Sequence, residues 1–308
     1  MNSTYFCETS FSSKSNLSKN QKLVLVTFNI ISIIVTVASN SLVIVTLKKT
    51  NQLSNMSFKL IFILSISDIC LASMSQTLFT IMLSGFSDPT NCKFDSFVNF
   101  LAIVFTHTSA YIIVMIGFDR FARMKYLNRY ASIVTERRIY MTLVVFALLS
   151  LVQGSFCPIG TMYSIFGKIR RVSFLIDGII AGCAVGLYVA TIFIVRRHTR
   201  NAHNRQLLND VDHAVTRVAS LILLVISIFY IPYILLTLTH SALSDKMSGS
   251  AKQNLDFLLF IGYSLGYCNP SANALIFLGV NKKARKFVSK AFCKKERSIA
   301  SSFSELEA

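Results

Sequence analysis

Apolar residues in this chain are gathered into seven long runs that short polar stretches separate. A helix needs roughly 20 apolar residues to cross the hydrocarbon core of a bilayer. Lipid offers backbone groups no hydrogen-bond partners, so such runs must be helical, and the sequence lacks the alternating pattern of barrel strands. We therefore predict an all-α integral membrane protein, a seven-transmembrane helix bundle with spans at Leu23–Leu47, Phe58–Leu83, Phe94–Phe118, Ile139–Cys157, Phe174–Val195, Ala214–His240 and Leu255–Val280.

The runs divide the chain into three segments. Residues 1–22 form a polar N-terminal segment, residues 23–280 the helical domain and residues 281–308 a C-terminal segment. The stretch Asn281–Cys293 has an apolar face and a lysine-rich face, which predicts an amphipathic helix on the membrane surface; a simple basic tail is the alternative. Cys293, at its end, is a candidate for palmitoylation.

The distribution of basic residues predicts how the chain is oriented. The formal net charge is +17, which in a soluble protein would suggest a nucleic acid partner. The N-terminus and the loops on its side carry 9 Lys and Arg, and the opposite side carries 22. Basic loops stay in the cytoplasm, so we predict a multi-pass plasma membrane protein with an extracellular N-terminus, a cytoplasmic C-terminus and no nucleic acid partner. Sequons at Asn2 and Asn16 would then be open to glycosylation, whereas one at Asn55 would stay unmodified.

Polar groups inside the runs are costly in a membrane and are candidates for function. Asp68 is the only acid deep in the second run, and the only acid that we expect to be buried. It could be a structural hydrogen-bond anchor or an ion or proton site, with Asn40 and Asn269 as candidate partners. Pro232 and Pro270 each remove a backbone hydrogen bond and are expected to kink their helices.

Five short motifs, taken together, resemble those of the rhodopsin-like (class A) G-protein-coupled receptors, and the resemblance is to a divergent member. It covers the chain from Asn40 to about Cys293, and the order and spacing of the motifs fit that family. The motifs are SNSLVI around Asn40 (similar to GNxxV), LSISD ending at Asp68 (LxxxD), Asp119-Arg120-Phe121 (Asp-Arg-Tyr), Phe229-Tyr230-Ile231-Pro232 (Cys-Trp-x-Pro) and Asn269-Pro270-Ser271-Ala272-Asn273 (NPxxY).

The resemblance implies a set of residues for activation and G-protein coupling. A salt link from Arg120 to Asp212 would join the third and sixth spans on the cytoplasmic side and keep the receptor quiet. Tyr188 is similar to the tyrosine that swings toward this arginine on activation, and the sixth span would pivot near Pro232. The resemblance therefore implies roles in activation for Asp119, Arg120, Asp212, Tyr188, Pro232, Asn269 and Pro270.

The resemblance also implies where ligands and ions bind. Asp68, Ser109 and Asn269 fall where the family often binds sodium, and an allosteric sodium ion is the only cofactor it suggests. The ligand-facing residues, inferred from position, are Thr106, Tyr230, Tyr233 and Tyr263. A typical amine ligand is disfavoured because Ala102 stands where amine receptors have Asp, and retinal because Tyr263 stands where opsins have Lys.

Several positions depart from the family pattern. The chain has no Trp, and Phe146 and Tyr230 stand where the family has tryptophans. The family disulfide joins the top of the third span to the second extracellular loop, whereas Cys92 lies three residues early and loop 158–173 has no Cys. A Cys92–Cys157 bond and a Cys7–Cys92 bond are the alternatives, and geometry decides between them.

The function that the resemblance implies is transduction of an extracellular ligand's binding into G-protein activation. The partners would be a heterotrimeric G protein, an extracellular ligand and membrane lipid, and could include arrestin and a receptor kinase. A seven-helix transporter or channel is the alternative, although the chain has no internal repeat. An enzyme is not expected, because no HExxH, GxSxG or paired-acid pattern is present.

Overall fold

A computed structural model describes residues 17–85, 92–126, 129–162, 166–201, 221, 225–243 and 246–290. Every regular element among these residues is a helix. Five residues with predicted roles, Asn2, Cys7, Asn16, Asp212 and Cys293, lie outside the described part, as do the side chains of Cys92 and Cys157. The roles predicted for these seven residues therefore stay predictions.

The first span is a helix from Lys19 to Lys49, which begins one turn before the predicted Leu23. Its start is fixed by a capping box, in which Ser18 Oγ accepts a hydrogen bond from the backbone N–H of Gln21 at 3.3 Å. In return, Gln21 Oε1 accepts one from the N–H of Ser18 at 2.9 Å. Two of the otherwise unpaired first-turn donors are thus satisfied. Hydropathy misses this turn because its residues are polar.

The second span contains a π-helical segment. An α-helix from Met56 to Cys70 is followed by the π segment Leu71–Gln76 and by a second α-helix from Thr77 to Ser84. Single π turns interrupt α-helices most often at functional sites. Here the segment ends in two polar residues, Ser75 and Gln76, that are both fully buried.

The remaining helices follow in the predicted order. They are Cys92–Lys125 (third span), Tyr130–Ile133 (in the following loop), Glu136–Met162 (fourth span), Phe166–Asn201 (containing the fifth span), the π segment Ile226–Tyr230 with Ile231–Leu243 (sixth span), and Gly249–Gly266 with Asn269–Val280 (seventh span), and then 282–290. By length and composition, five described helices could cross a membrane, at Lys19–Lys49, Met56–Ser84, Lys93–Lys125, Glu136–Phe156 and Gly178–Arg197, and Ile228–His240 is a shorter apolar helix.

The third span lies at the centre of the bundle. It packs against the second, fourth and fifth spans, while the first packs against the second and seventh, and the sixth against the seventh. The third and fourth spans approach closely at Gly154, where an added Cβ would lie 2.6 Å from Val104 Cγ2. Small residues at such crossings let membrane helices pack closely.

Two helices run further than the hydropathy pattern predicts. The third span continues through Asp119 and Arg120 to Lys125, and the fourth passes Pro158 to end at Met162. A proline removes only its own backbone hydrogen bond, and membrane helices tolerate that loss. The charged residues after the third run therefore do not mark the end of the helix.

The regular α-helix is interrupted next to both Pro232 and Pro270. The sixth span changes from π to α geometry at Ile231, immediately before Pro232. The seventh breaks at Tyr267 and Cys268 and resumes at Asn269, with Pro270 in its first turn. A proline in a first turn costs little, because that N–H has no partner within the helix anyway.

Candidate functional site

Asp68 lies fully buried in the middle of the bundle and is held by the third span. The hydroxyl of Ser109 donates a hydrogen bond to Asp68 Oδ1 at 2.8 Å. The other carboxylate oxygen, Oδ2, has no hydrogen-bond partner. Asn273 faces the same carboxylate, but its Nδ2 does not meet the geometry of a hydrogen bond. The structure thus joins two of the three predicted sodium ligands.

The two asparagines predicted as partners of Asp68 are used differently. Asn40 Nδ2 donates to the carbonyl oxygens of Thr36 at 3.0 Å and Pro270 at 3.3 Å, and so ties the first span to the seventh. Its pairing with Asp68 was wrong, because this amide already serves two carbonyls. Asn269 is buried, and its Oδ1 is without a partner.

A cluster at the C-terminal end of the third span surrounds Asp119, which is 1% exposed. Ser57, at the start of the second span, donates to Asp119 Oδ2 at 2.5 Å. Tyr130, in the short loop helix, donates to Asp119 Oδ1 at 2.5 Å. Burial, and then the hydrogen bond to Asp119, raise the pKa of Tyr130 above its ordinary value, so its phenol keeps the proton that it donates.

Arg123 closes this cluster from the third span. Its Nη2 lies 3.1 Å from Ser57 Oγ and 3.0 Å from the hydroxyl of Tyr130, and its guanidinium stacks 4.5 Å from the centroid of the Tyr130 ring. Asn55 caps the second span by accepting from the N–H of Ser57 at 3.0 Å. The sequence indicated Asn55 only as a sequon, and nothing local in it could have revealed Ser57, Arg123 or Tyr130.

Arg120 and Tyr188 lie beside this cluster. Among the described residues, Arg120 makes no hydrogen bond or ion pair, and its predicted partner Asp212 is outside the described part. Tyr188 is buried, and its hydroxyl donates to the carbonyl oxygen of Ile113 at 3.3 Å. The Tyr188 ring packs directly over Gly117, since a Cβ added to this glycine would lie 3.4 Å from the ring. Tyr188 therefore holds the fifth span against the third.

Three of the four predicted ligand-facing residues form a row of rings. The centroids of Tyr230 and Tyr233 are 6.0 Å apart, and those of Tyr233 and Tyr263 are 5.6 Å apart. The row continues to Phe79 of the second span, 6.1 Å from Tyr263. Thr106 is half-buried in the third span, and no hydrogen bond joins it to these tyrosines in the described part.

Phe146, which stands where the family has a tryptophan, stacks on the ring of Tyr111. Its ring lies 4.6 Å from that of Tyr111 at an interplanar angle of 16°. Tyr111 also donates to Gln153 Oε1 of the fourth span at 3.3 Å. The pair ties the third span to the fourth without an indole N–H.

A buried chain of hydrogen bonds joins the first, second and seventh spans, and the sequence did not suggest it. Gln76 Nε2 donates to Asn29 Oδ1 at 3.1 Å, and Asn29 Nδ2 donates to Ser264 Oγ at 2.8 Å. Ser264 in turn donates to the carbonyl oxygen of Phe260 at 2.8 Å. Both side-chain amides donate along the chain in the same direction, from Gln76 to Asn29 and from Asn29 to Ser264. The amide oxygen of Gln76, Oε1, has no hydrogen-bond partner.

The sequence predicted Asp68 as the only buried acid of the bundle, and this prediction was wrong. Asp95, Asp119 and Asp256 are also buried. Asp256 Oδ1 of the seventh span lies 2.8 Å from His240 Nε2 of the sixth, and Asp256 is fully buried. Both residues lie at the extreme ends of their apolar runs, where hydropathy cannot separate a buried charge from a solvated one.

Comparison with known proteins finds similarity over part of the chain. Residues 39–171 match the model of the 7 transmembrane receptor (rhodopsin family). The chain is similar to "Adenosine receptor A3" of Canis lupus familiaris, with 30% identity over 119 residues, which cover 38% of this chain and 37% of that protein. "Adenosine receptor A3" of Ovis aries is 30% identical over 120 residues, with the same coverage. The alignments thus span 37% of the length of the curated relatives that the chain matches.

Over residues 39–171 the chain is similar to the rhodopsin-like receptor family, which its motifs also resemble. The family match also confirms the prediction of an all-α, seven-helix membrane bundle. It supports a multi-pass plasma membrane protein and agrees with the prediction that the chain is not an enzyme.

Proposed function

We propose that this chain is a G-protein-coupled receptor that converts the binding of an extracellular ligand into activation of a heterotrimeric G protein. Its N-terminus is extracellular and its C-terminal segment is cytoplasmic, as the excess of basic residues on that side favours. Membrane lipid is a further partner, and arrestin and a receptor kinase are proposed to act on the cytoplasmic face.

The observation that carries the proposal is the Asp119 cluster. It gathers residues of the second span, the third span and the loop helix around one buried carboxylate, next to Arg120. A buried carboxylate with two short hydrogen bonds defines one discrete arrangement of these elements. Two-state signalling needs an arrangement of this kind that a ligand or a partner can shift.

In the quiet state, we propose, Arg120 pairs with Asp212, and Tyr188 fastens the fifth span to the third. A ligand that prefers the other state would let the sixth span pivot at Pro232, where the helix changes from π to α geometry. Arg120 would then be free to meet the G protein, with Asn269 and Pro270 at the corresponding break in the seventh span.

The ligand is proposed to enter from the extracellular side between the third, fifth, sixth and seventh spans. The row of Tyr230, Tyr233 and Tyr263 supports this placement, because aromatic rings with polar tips suit a small ligand that has both apolar and hydrogen-bonding groups. Thr106 would face it from the third span. Two relatives are named as adenosine receptors, so adenosine is the first ligand to test.

A sodium ion is proposed as an allosteric modulator beside Asp68. Two buried oxygens, Asp68 Oδ2 and Asn269 Oδ1, have no hydrogen-bond partner, and Ser109 Oγ is already directed at Asp68. Hard cations prefer oxygen ligands of this type. When bound, the ion would offset the charge of Asp68 and favour one state of the bundle.

The proposal is tested by measuring basal activation of the main G-protein classes in mammalian cells. Asp212→Ala is expected to raise basal signalling and Arg120→Ala to abolish it, at surface levels matched to wild type. Arg197→Ala, which removes an exposed charge on the same side, is the matched control and should leave signalling unchanged. Silence of every variant despite good surface expression would contradict the proposal, and ion-flux and transport assays would then test the transporter or channel alternative.

A further inference from the structure

A buried pair of titratable side chains joins the C-terminal end of the sixth span to the seventh. His240 Nε2 lies 2.8 Å from Asp256 Oδ1. Asp256 is fully buried, and His240 is 7% exposed. Neither the receptor motifs nor the proposed activation mechanism uses this pair. We infer that His240 and Asp256 form a pH-sensitive latch, which holds the two spans together more strongly as the extracellular medium becomes acidic.

The latch continues the contact between the sixth and seventh spans that begins at the row of tyrosines. His240 follows Tyr233 by seven residues, and Asp256 precedes Tyr263 by seven. The pair therefore lies two helical turns, about 10 Å, beyond those rings. Between the two levels the helices approach closely, since a Cβ added to Gly262 would lie 3.2 Å from a leucine side chain of the sixth span. The latch thus closes the far end of one continuous interface.

The imidazole of His240 is placed so that a second proton would strengthen the contact. Its Nε2 faces the carboxylate, so Nδ1, which has no hydrogen-bond partner within the described part of the chain, is the nitrogen that takes up this proton. Histidine is the side chain that ordinarily changes its charge between pH 5 and 8. A neutral ring gives Asp256 an ordinary hydrogen bond, whereas a charged ring gives a charge-assisted one, which is about twice as strong. The contact should therefore strengthen as the pH falls toward about 6.

The charged groups around the latch leave Asp256 as the partner of His240. Among the described residues, Asp256 is the only charged group in contact with His240. The seventh span packs against this part of the sixth, and it also carries Lys252 one turn before Asp256. A cation at that spacing favours the ionised carboxylate. The other titratable or charged groups of the described elements nearby form no hydrogen bond or ion pair with His240; they are Lys19, Lys22, Tyr230, Tyr233, Lys246 and Tyr263.

The position of the latch relative to Pro232 connects it to signalling. His240 lies eight residues beyond this proline, at which the sixth span is proposed to pivot, so this step rests on the proposed function and orientation. A pivot at Pro232 displaces the C-terminal end of the helix relative to the seventh span and breaks the 2.8 Å contact. A stronger latch favours the state in which the contact is formed. Extracellular acid should therefore lower basal signalling.

The first experiment measures the contact itself, in the purified full chain in phosphatidylcholine nanodiscs and choline chloride. Thermal unfolding of wild type, His240→Gln, Asp256→Asn and the double variant forms a cycle at about pH 7.8 and again at about pH 6. The coupling between the two residues, expressed as an equilibrium factor, should be about five-fold larger at the lower pH, because a charge-assisted hydrogen bond replaces a neutral one. His107→Gln, which alters another buried histidine, is the matched control and should keep the wild-type response to pH.

The second experiment records basal G-protein activation in cells while the external medium is taken from about pH 7.8 to about pH 6. Wild type and His107→Gln should lose signal, by up to about five-fold, whereas His240→Gln and Asp256→Asn should not respond. A coupling that does not change with pH, or a wild-type response to acid in His240→Gln, would overturn the latch. If every receptor is silent at both pH values, the proposed coupling to G proteins fails, and the unfolding cycle still decides whether the latch exists.

Discussion

The phenol of Tyr130 donates a hydrogen bond to the buried carboxylate of Asp119, across 2.5 Å from a loop helix to the third span. Eleven residues of chain separate the two, so neither residue type nor local spacing reveals the pair. The bond ties the position of the loop helix to the third span. If the Asp119 cluster stabilises the quiet state, removing this bond should raise basal signalling.

Tyr130→Phe removes this bond and keeps the ring beside Arg123. A hydrogen bond to a charged group contributes about 1.5–3 kcal/mol. If the quiet state loses about 1.5 kcal/mol of stability relative to the active state, basal activity should rise by up to about ten-fold. The control is Tyr126→Phe, which alters an exposed tyrosine of the same loop region. Equal basal signalling of the two variants, at matched surface levels, would contradict the proposed role.

The same bond should be insensitive to pH in the physiological range. The pKa of Tyr130 is raised above the ordinary 10.0, first by burial and then by Asp119. A group whose folded-state pKa is raised contributes stability that is present below the unfolded-state pKa and is lost as pH rises through the folded one. The thermal stability difference between wild type and Tyr130→Phe should therefore stay constant from about pH 6 to 9. A difference that vanishes within this window would show that the bond is not the one described.

Asp68→Asn tests the sodium proposal. A bound ion stabilises the folded receptor by linkage, so wild type should melt at a higher temperature in sodium chloride than in choline chloride. The variant keeps the size of the side chain but removes its charge, and the sodium-dependent increase should disappear. Asp256→Asn is the matched control, since it neutralises another fully buried acid and should retain the sodium response. Loss of the response in both variants would argue against a site at Asp68.

The pair of His240 and Asp256 should stabilise the contact between the sixth and seventh spans. Loss of a hydrogen bond to a charged group costs about 1.5–3 kcal/mol, so Asp256→Ala should lower the melting temperature. The double variant with His240→Ala should cost less than the sum of the two single variants, because the partners are in contact. Strict additivity in this cycle would show that the 2.8 Å approach contributes nothing to stability.

The buried chain from Gln76 to Ser264 predicts an order of effects. Asn29→Leu removes three hydrogen bonds, to Gln76, Ser264 and the carbonyl oxygen of Leu25. Gln76→Leu removes one from the side chain, so its cost should be about 1–3 kcal/mol, and that of Asn29→Leu should be larger. Thermal denaturation of the two variants in one detergent gives the comparison. The reverse order would contradict the central place of Asn29 in this chain of hydrogen bonds.

The sequence by itself indicated the membrane class, the number and order of the spans, and the resemblance to the rhodopsin-like family. These properties follow from hydropathy, from the asymmetry of basic residues and from motifs that each fit within a few residues. Lipid forces an apolar run to be a helix, so the run alone specifies the element. The sequence also identified Asp68 and Ser109 correctly as neighbours, although only through the family resemblance.

Only the tertiary structure decided which polar groups meet. Asn40 serves Pro270 rather than Asp68, Asp119 is held by Ser57 and Tyr130, and His240 and Asp256 pair across two spans. These contacts join residues far apart in the chain, and each depends on how the helices are rotated and how far each one extends. Packing of side chains between neighbouring spans sets both, which is why the pattern along a single run cannot contain that information.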